Sequence, residues 1–397
     1  MNICGIIAEY NPFHNGHLYH INQTKAAGAT HICVVLSSNF VQRGEPAIIN
    51  KWQRTKSALL NGADLVIELP TFFSMSSAGN FAKGAVYLLN SLGCINSISF
   101  GCEDNNIESF NSIINILDAN KFKTLFKEQL SLGQSFAAAR QKALSLLALE
   151  NSDIILKPNN ILSLEYLYQL KLLNSSISPI LIKRISAEHD SEVAKGSYAS
   201  ASYLRSLVKN NKINELIGFM PENSFDLIKS AIDSKIAPSD ISFIERAILA
   251  KLRSMNLHDF KQIPDVNEGL EHKIFSSVKS SSSLNELYSN IKSKRYAHSR
   301  IRRICLNAFL GITKPIIPEY PQYIRVLGFT KKGCKILNLA KKTSSLPIIT
   351  EFSQIKSLDK ALLNSFELES QLSDIYALSL PKPMPSSLDY TTGIIKF

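Results

Sequence analysis

The chain has 397 residues, with 44 Lys and Arg against 33 Asp and Glu, which gives a formal net charge of +11. Its hydrophobic fraction of 45% and charged fraction of 19% are typical of globular proteins and exclude disordered and fibrous classes. No apolar run reaches the roughly 18 residues of a membrane-spanning helix, and the start lacks the basic segment of a signal peptide.

The cysteines and the charge balance give a first indication of compartment and partner. The six cysteines show no C-x-x-C spacing, which excludes a zinc knuckle and a dithiol redox motif. We therefore expect reduced thiols in a cytoplasmic protein. The positive charge favours a polyanion such as nucleic acid, although many cytoplasmic proteins are simply basic.

The first hundred residues alternate between two kinds of pattern. Short apolar runs, typical of strands buried in a parallel sheet, occupy Ile3–Ala8, Ile32–Ser37, Leu65–Leu69 and Ile95–Phe100. Helical patterns that end at or before a glycine occupy Leu18–Ala27, Lys51–Asn61 and Ala78–Leu89. The alternation predicts an α/β fold with a Rossmann-like, doubly wound parallel sheet.

Helical patterns become more frequent further along the chain. Residues 106–175 predict several helices, and Pro179–Ile185 predicts another buried strand. After about residue 208 the sequence patterns are mainly helical, and a serine-rich loop is expected at Ser276–Ser283. Residues 323–337 predict a strand, a turn and a helix. We therefore predict two domains, an α/β domain at 1–208 and a mainly helical, basic domain at 209–397.

The most informative segment follows the first strand, from Ile7 to His20. It turns through Asn11 and Pro12 and enters a helix near Gly16. Ligands of doubly wound sheets bind at the carboxyl ends of the strands, where a helix N-terminus attracts phosphate. His14 and His17 lie at this place, and imidazole N–H groups can stabilise charge that develops on a phosphoryl oxygen.

Other interpretations of this segment are weaker. Neither a P-loop nor a dinucleotide-binding glycine motif is present. A metal site built on His14 and His17 would need further ligands, and the segment offers only Glu9. The histidines could also occur on this helix by chance. We expect no resident metal.

His-x-Gly-His after a first strand resembles the nucleotidyltransferase superfamily, which includes class I aminoacyl-tRNA synthetases and small adenylyltransferases. In that superfamily the motif binds ATP phosphates, and a second motif with hydroxyls and a basic residue follows later. Residues 199–205 are similar to this second motif, which makes Ser200, Ser202 and Arg205 candidate phosphate contacts. The Ala201 position carries serine in many superfamily members.

A longer series of motifs narrows the resemblance. The strings EYNPFHNGH, QRGEP, GADLVIELP, FG and KPNNIL occur in this order, beginning at Glu9, Gln42, Gly62, Phe100 and Lys157. Together they resemble the bacterial tRNA(Met) cytidine acetate ligase family, strongly over the first ~205 residues and more weakly beyond. That family activates acetate with ATP as acetyl-adenylate and acetylates N4 of the wobble cytidine of elongator tRNA(Met). The resemblance implies a nucleotidyltransferase-like catalytic domain followed by a tRNA-binding domain.

The resemblance also implies particular residues. Catalysis would fall to His14 and His17. The implied ATP contacts are Ile7, Ala8, Glu9, Tyr10, Asn11, Pro12, Phe13, His14, Asn15, Gly16, His17, Leu18, Tyr19, His20, Gly101, Arg184 and one of Asn159 and Asn160, of which we favour Asn160. ATP and acetate would be substrates. Magnesium can accompany ATP, but no motif requires it as a cofactor. Neither a protein partner nor a membrane is implied.

The best candidate for RNA contact is a basic segment in the second half of the chain. Its six cations are Lys292, Lys294, Arg295, Arg300, Arg302 and Arg303. Tyr296 and His298 lie among them, a mixture that is typical of nucleic-acid surfaces. The alternative is a soluble basic helix.

Several other charged residues have more ordinary interpretations. We expect Lys51, Arg54 and Lys56 to line a solvated helix face, with tRNA contact as the alternative. Asp64 and Glu68 flank a buried strand, where a hydrogen-bonding role is favoured over catalysis. His189 and Asp190 could form a catalytic pair, but a surface loop is favoured.

Two competing functions remain open at this point. A small-molecule adenylyltransferase of the same superfamily would leave the basic second half without a role. A tRNA-binding protein that senses ATP would need no catalytic histidines. A class I aminoacyl-tRNA synthetase is disfavoured because the chain lacks a Lys-Met-Ser-Lys-Ser-like loop.

Overall fold

A computed structural model describes residues 1–104, 106–147, 157–185, 196–267, 269–355 and 359–397. His189 and Asp190 lie outside these ranges. In the described part of the chain, no helix is long and apolar enough to cross a membrane.

The strands and helices alternate through the first half of the chain. The strands are β1 (Ile3–Ala8), β2 (His31–Ser37), β3 (Phe40–Val41), β4 (Glu45–Pro46), β5 (Leu65–Leu69), β6 (Ser97–Cys102), β7 (Ser178–Lys183), β8 (Ile324–Phe329), β9 (Ile348–Ile349) and β10 (Ile395–Lys396). The helices up to the second motif are α1 (Asn15–Ala26), α2 (Lys51–Leu60), α3 (Thr71–Ser74), α4 (Ala78–Ser91), α5 (Ile107–Leu117), α6 (Asn120–Ser131), α7 (Phe136–Ser145), α8 (Pro158–Leu172) and α9 (Ala201–Lys209).

The second half is mainly helical. Its helices are α10 (Glu222–Asp233), α11 (Glu245–Ser254), α12 (Leu257–Lys261), α13 (Leu270–Ser280), α14 (Leu284–Ile291), α15 (His298–Leu310), α16 (Lys331–Thr343), α17 (Phe352–Ile355), α18 (Lys360–Ala377) and α19 (Leu388–Thr391). The loop expected at Ser276–Ser283 is mostly wrong, because α13 continues to Ser280 with Ile274 and Val278 buried on its inner face. Burial of that face outweighs the weak helix propensity of serine.

The described residues form a central sheet with the strand order β10-β8-β5-β2-β1-β6-β7. β1 pairs in parallel with both β2 and β6, so the strand order reverses beside β1. Ile21, Ala58 and Leu59, from α1 and α2, pack on one face, and α4 and α8 cover the other. The predicted doubly wound parallel sheet is confirmed, and the reversal places a ligand crevice at the carboxyl ends of β1 and β6.

The end of the chain returns to this sheet, which differs from the predicted division at residue 208. β8 pairs antiparallel with β5, and β10 pairs with β8. In the sequence, α11–α15 lie between the α/β unit and β8, and these helices form a segment with a hydrophobic core of its own. Strand pairing between distant segments leaves no local signal in the sequence, so the pattern at 323–337 predicted β8 and α16 but not where they pack.

A buried ionic cluster fixes the returning segment to the sheet. Lys51 Nζ lies 2.6 Å from a carboxylate oxygen of both Glu68 and Asp389, and Arg325 pairs with the same two carboxylates. Burial opposes ionisation of Asp389, but Lys51 and Arg325 outweigh it and lower its pKa to about 2. The expected solvated face on α2 is therefore wrong for Lys51 and Arg54, whose side chains are fully buried.

Asp64, just before β5, and Glu68, within it, have the hydrogen-bonding roles expected of them. Asp64 Oδ2 accepts from Ile32 N at 2.8 Å and so ties the start of β5 to β2. Glu68 Oε1 accepts from Ser38 Oγ and from Lys51 Nζ. Both carboxylates hold the sheet together.

Candidate active site

The first motif folds into a tight turn between β1 and α1. Tyr10 has a positive φ of 48°, and the Asn11–Pro12 peptide bond is cis. His14 occupies the N-cap of α1, where its Nδ1 accepts from Gly16 N at 3.0 Å. His17 Nδ1 accepts from His14 N at 3.2 Å. The two histidines thus form a capping box of their own, in which side chains satisfy N–H groups that a helix start leaves open.

These hydrogen bonds assign the tautomer of both imidazoles. A ring nitrogen that accepts from a backbone N–H carries no proton, so in a neutral ring the proton lies on Nε2. Burial lowers the pKa of His14 to about 3, and the charges of Arg184 and Arg205 contribute in the same direction. Burial, with His14 and Arg184 nearby, also lowers the pKa of His17 well below its usual value. Near neutral pH both histidines are neutral hydrogen-bond donors.

A second wall of the site comes from β6, β7 and the start of α8. Gly101 leaves room for Arg184, since a Cβ at that position would lie 3.2 Å from the Arg184 side chain. Arg184 Nη1 donates to Asn159 Oδ1 at 3.3 Å. Glu103 holds this corner, because its carboxylate accepts from the Asn159 side chain and from Asn160 N. The corner presents the Arg184 guanidinium to the cleft.

The structure brings most of the predicted nucleotide contacts to one cleft. Those that line it are Ile7, Ala8, Glu9, Tyr10, Asn11, His14, Gly16, His17, Tyr19, His20, Gly101 and Arg184. Four predicted contacts are absent from the described residues that line the cleft, namely Pro12, Phe13, Asn15 and Leu18. Phe13 is a core residue, and Asn15 donates to Ser197 O and Gly218 O. These residues shape the turn.

The structure separates the two asparagines between which the sequence did not decide. Asn160 is fully buried, and its Oδ1 accepts from Glu103 N at 2.9 Å and from Asp104 N at 3.3 Å. Asn159 instead lines the cleft. The two neighbours project from different sides of the first turn of α8, which sequence alone could not resolve. The lining of the cleft thus favours Asn159, and contact of either asparagine with a nucleotide stays a prediction.

The second motif lies beside the cleft and is partly used for structure. Ser200 caps α9 by accepting from Tyr203 N at 3.0 Å. Arg205 Nη1 donates to Asn11 O at 3.0 Å, and its Nη2 donates to Ser202 Oγ. Ala201 is the residue of this motif that lines the cleft. Arg205 thereby brings positive charge to the turn, while its contact with a phosphate stays a prediction.

Several residues of the cleft were not predicted as ligand contacts. The lining also includes Gln42, Arg43, Phe81, Phe100, Leu162, Tyr166, Ile182, Lys183, Ile185 and Tyr198. Gln42 and Arg43 belong to a motif that the sequence singled out, which was a usable signal. Fully buried Arg54 supports the same edge, since it donates to the carbonyls of Glu9, Ser37, Ser38 and Ile49. Nothing local marks Arg54 for that role.

The basic segment is only partly available for RNA. Arg303 is 8% exposed and pairs with Asp265, Arg300 donates to Asp265 O, and Lys292 donates to Tyr296 O. Lys294 is exposed, and Arg295 and Arg302 are partly exposed. Half of the predicted patch is therefore engaged in holding the helical segment together.

The depressed pKa of His14 predicts a specific loss of stability in acid. The unfolded chain binds a proton on this residue below its ordinary pKa of 6.5, whereas the folded chain does not until about pH 3. The stabilisation is therefore complete above pH 6.5 and falls by up to about 1.4 kcal/mol per pH unit as the pH drops. Urea unfolding of the unsubstituted chain and His14→Asn between pH 7 and 4.5 measures the difference. We expect a shallower decline for His14→Asn, and equal slopes would contradict the assignment.

Comparisons with known proteins identify the family of the chain. A family model described as HIGH Nucleotidyl Transferase matches residues 1–389. Proteins named tRNA(Met) cytidine acetate ligase are 42% identical in Thermoanaerobacter sp. (strain X514) and 38% identical in Acetivibrio thermocellus, each alignment covering 100% of both chains.

Solved structures give the same result. The apo crystal structure of Thermotoga maritima TmcAL matches with a TM-score of 0.96 at 32% identity, covering 100% of both chains. Its form bound with alpha-thio ATP matches with a TM-score of 0.93 at 31% identity, covering 100% of this chain and 99% of that one. The chain belongs to the HIGH nucleotidyl transferase family and, within it, to the tRNA(Met) cytidine acetate ligases.

Proposed function

We propose that the chain is a cytoplasmic, ATP-dependent ligase that acetylates N4 of the wobble cytidine of elongator tRNA(Met). The observation that carries this proposal is the stacked pair of neutral histidines, with ring centroids 3.7 Å apart, at the N-terminus of α1. Arg184 lines the same cleft. The names of the relatives and the nucleotide-bound neighbour support the choice of reaction and of ATP.

The first step joins acetate to the α-phosphorus of ATP and releases pyrophosphate. Acetate is already an anion near neutral pH, so this step needs no general base. It needs alignment of two anions and stabilisation of the charge that builds on phosphoryl oxygens. The Nε2–H groups of His14 and His17 and the guanidinium of Arg184 supply such donors. Magnesium carried by ATP would add to this charge neutralisation.

The second step transfers the acetyl group to RNA. The exocyclic amine attacks the carbonyl of acetyl-adenylate, AMP leaves with the electron pair of the broken bond, and the amine loses a proton. The target base must leave its stack, which is easier in an anticodon loop than in a duplex. We assign Lys294, Arg295 and Arg302 to the RNA backbone; of these, Arg302 approaches Glu45 at 3.9 Å, beside the cleft residues Gln42 and Arg43. Loss of phosphate contacts should weaken binding and reduce its salt dependence.

Transfer of labelled acetate to a defined RNA tests the proposal. The reaction contains labelled acetate, ATP and a transcript of elongator tRNA(Met), and a matched transcript carries uridine at the wobble position. We expect ATP-dependent label in N4-acetylcytidine of the first transcript and none in the second. Acetyl-adenylate without labelled RNA would contradict the RNA assignment. If no adenylate forms either, a small-molecule adenylyltransferase or an ATP-sensing tRNA-binding protein takes its place.

A further inference from the structure

We propose that Arg303 is a positioning residue for the cleft, acting through Gln42 on Glu9, rather than a contact for RNA. The inference rests on the proposed function, since it concerns how the adenylate-forming cleft is held. It is carried by a chain of hydrogen bonds that begins in the helical segment and ends at a side chain lining the cleft.

The chain of contacts passes through the two backbone groups of one residue. Arg303 Nη1 donates to Gln42 O at 3.1 Å. Gln42 N donates to Glu9 Oε1 at 2.9 Å. Gln42 lies in the turn between β3 and β4, with two-residue strands on either side, and so has little sheet structure to hold it. The position of Gln42 therefore depends on contacts that the turn makes with other segments of the chain.

The turn is held by contacts with α15, and α15 is in turn bonded to the loop that contains Asp265. Arg303 Nε and Nη2 donate to Asp265 Oδ2 at 3.2 and 3.1 Å, which fixes the guanidinium from the other side. Gly44 has a φ of +73°, and a Cβ there would lie 2.5 Å from Arg303 N. The turn thus packs directly on the backbone of α15. The planar guanidinium of arginine can donate to Gln42 O and to Asp265 Oδ2 at the same time, whereas the compact ammonium group of lysine cannot take this geometry.

The position of the Glu9 carboxyl group matters because it lies in the cleft that we propose binds the triphosphate. It is the one acidic side chain among the described residues that line the cleft. Burial raises the pKa of Glu9, although the Gln42 N–H and the charges of Arg205, Arg43 and Arg54 act in the opposite direction. A carboxylate released from Gln42 could turn toward the site of the triphosphate and repel it, or pair with an arginine there. Either movement would slow adenylate formation without any RNA present.

This assignment makes the helical segment part of the catalytic apparatus. Arg205 and Arg302 also approach Glu45, at 3.6 and 3.9 Å, so the second motif and α15 meet at the same turn. Loss of Arg303 should therefore affect the first half-reaction, whereas loss of an RNA contact should affect only the second.

The test measures acetate-dependent exchange of labelled pyrophosphate into ATP, without RNA, together with the melting temperature of each variant. We expect Arg303→Ala to lower kcat for exchange at least about tenfold, because displacements of about 1 Å in a catalytic site have effects of this order or larger. Arg303→Lys, which can pair with Asp265 but cannot span to Gln42, should keep the melting temperature and still lose exchange. Arg246→Ala, on the exposed face of α11, is the matched loss of charge and should change neither.

The outcomes separate the inference from the proposed function. Exchange by Arg303→Ala at the unsubstituted rate, with only RNA acetylation reduced, would overturn the inference and make Arg303 an RNA contact. If Arg303→Ala does not fold, Asp265→Asn decides, since asparagine tolerates the positive φ of 65° at that position. Reduced exchange by Asp265→Asn supports the inference and unchanged exchange overturns it. Absence of acetate-dependent exchange in the unsubstituted chain overturns the proposed function, and the inference with it.

Discussion

His14→Asn and His17→Gln should fold like the unsubstituted chain and form acetyl-adenylate at least about 100-fold more slowly. Asparagine is a strong N-cap residue, and its Oδ1 can accept from Gly16 N as His14 Nδ1 does. Glutamine at the third helical position can accept from His14 N and so retain the capping box. Both changes remove the Nε2–H donor, and loss of one such donor typically lowers kcat by about 10²–10³.

Single-turnover formation of acetyl-adenylate measures this effect, with urea unfolding as the check on structure. His272→Asn, an exposed histidine on α13, is the matched control and should change neither quantity. A variant that keeps its stability and loses the rate confirms that the donors act on the reaction. Near-normal rates in both variants would mean that the histidines serve only to cap α1.

Lys51→Met should destabilise the fold by about 3–5 kcal/mol, although Lys51 lies outside the cleft lining. The change leaves Glu68 and Asp389 buried with one cation instead of two, and breaking a buried ion pair has an effect of this size. Lys212→Met, which breaks an exposed pair with Glu215 at 3.2 Å, should change stability by no more than about 1 kcal/mol.

Equilibrium unfolding in urea compares the two methionine variants. The expected difference would show that the ionic cluster attaches the last seventy residues to the α/β sheet. Equal and small effects would mean that apolar packing around Tyr376 and Leu372 is sufficient to hold that segment. In that case the returning strand β8 would not depend on the charges beside it.

Local patterns account for what could be predicted from the sequence. The alternation of apolar runs and helical patterns predicted β1, β2, β5 and β6, whose residues are mostly buried. It also predicted β7, but this strand lies at the edge of the sheet and is only partly buried, so the expectation of another buried strand was wrong in that respect. The turn into α1 was predictable because His14, Gly16 and His17 act on one another within a single helical turn. The family resemblance rests on such short strings, and the comparisons confirm it.

What could not be predicted depends on contacts between distant segments. Lys51 meets Asp389 across more than three hundred residues, and Gln42 meets Arg303 across 261. Basic residues on a helix predict a solvated or RNA-binding face unless their partners are known, so the burial of Arg54 and Arg303 was not predicted. Which of Asn159 and Asn160 lines the cleft depends on how the first turn of α8 is rotated about the helix axis, and the sequence alone does not give that rotation.

Activation of acetate by the unsubstituted chain can be measured as exchange of labelled pyrophosphate into ATP, with and without acetate and in the absence of RNA. We expect exchange that requires acetate, because the cleft of His14, His17 and Arg184 is proposed to form the adenylate without RNA. Exchange that proceeds equally without acetate, or no exchange at all, would contradict it.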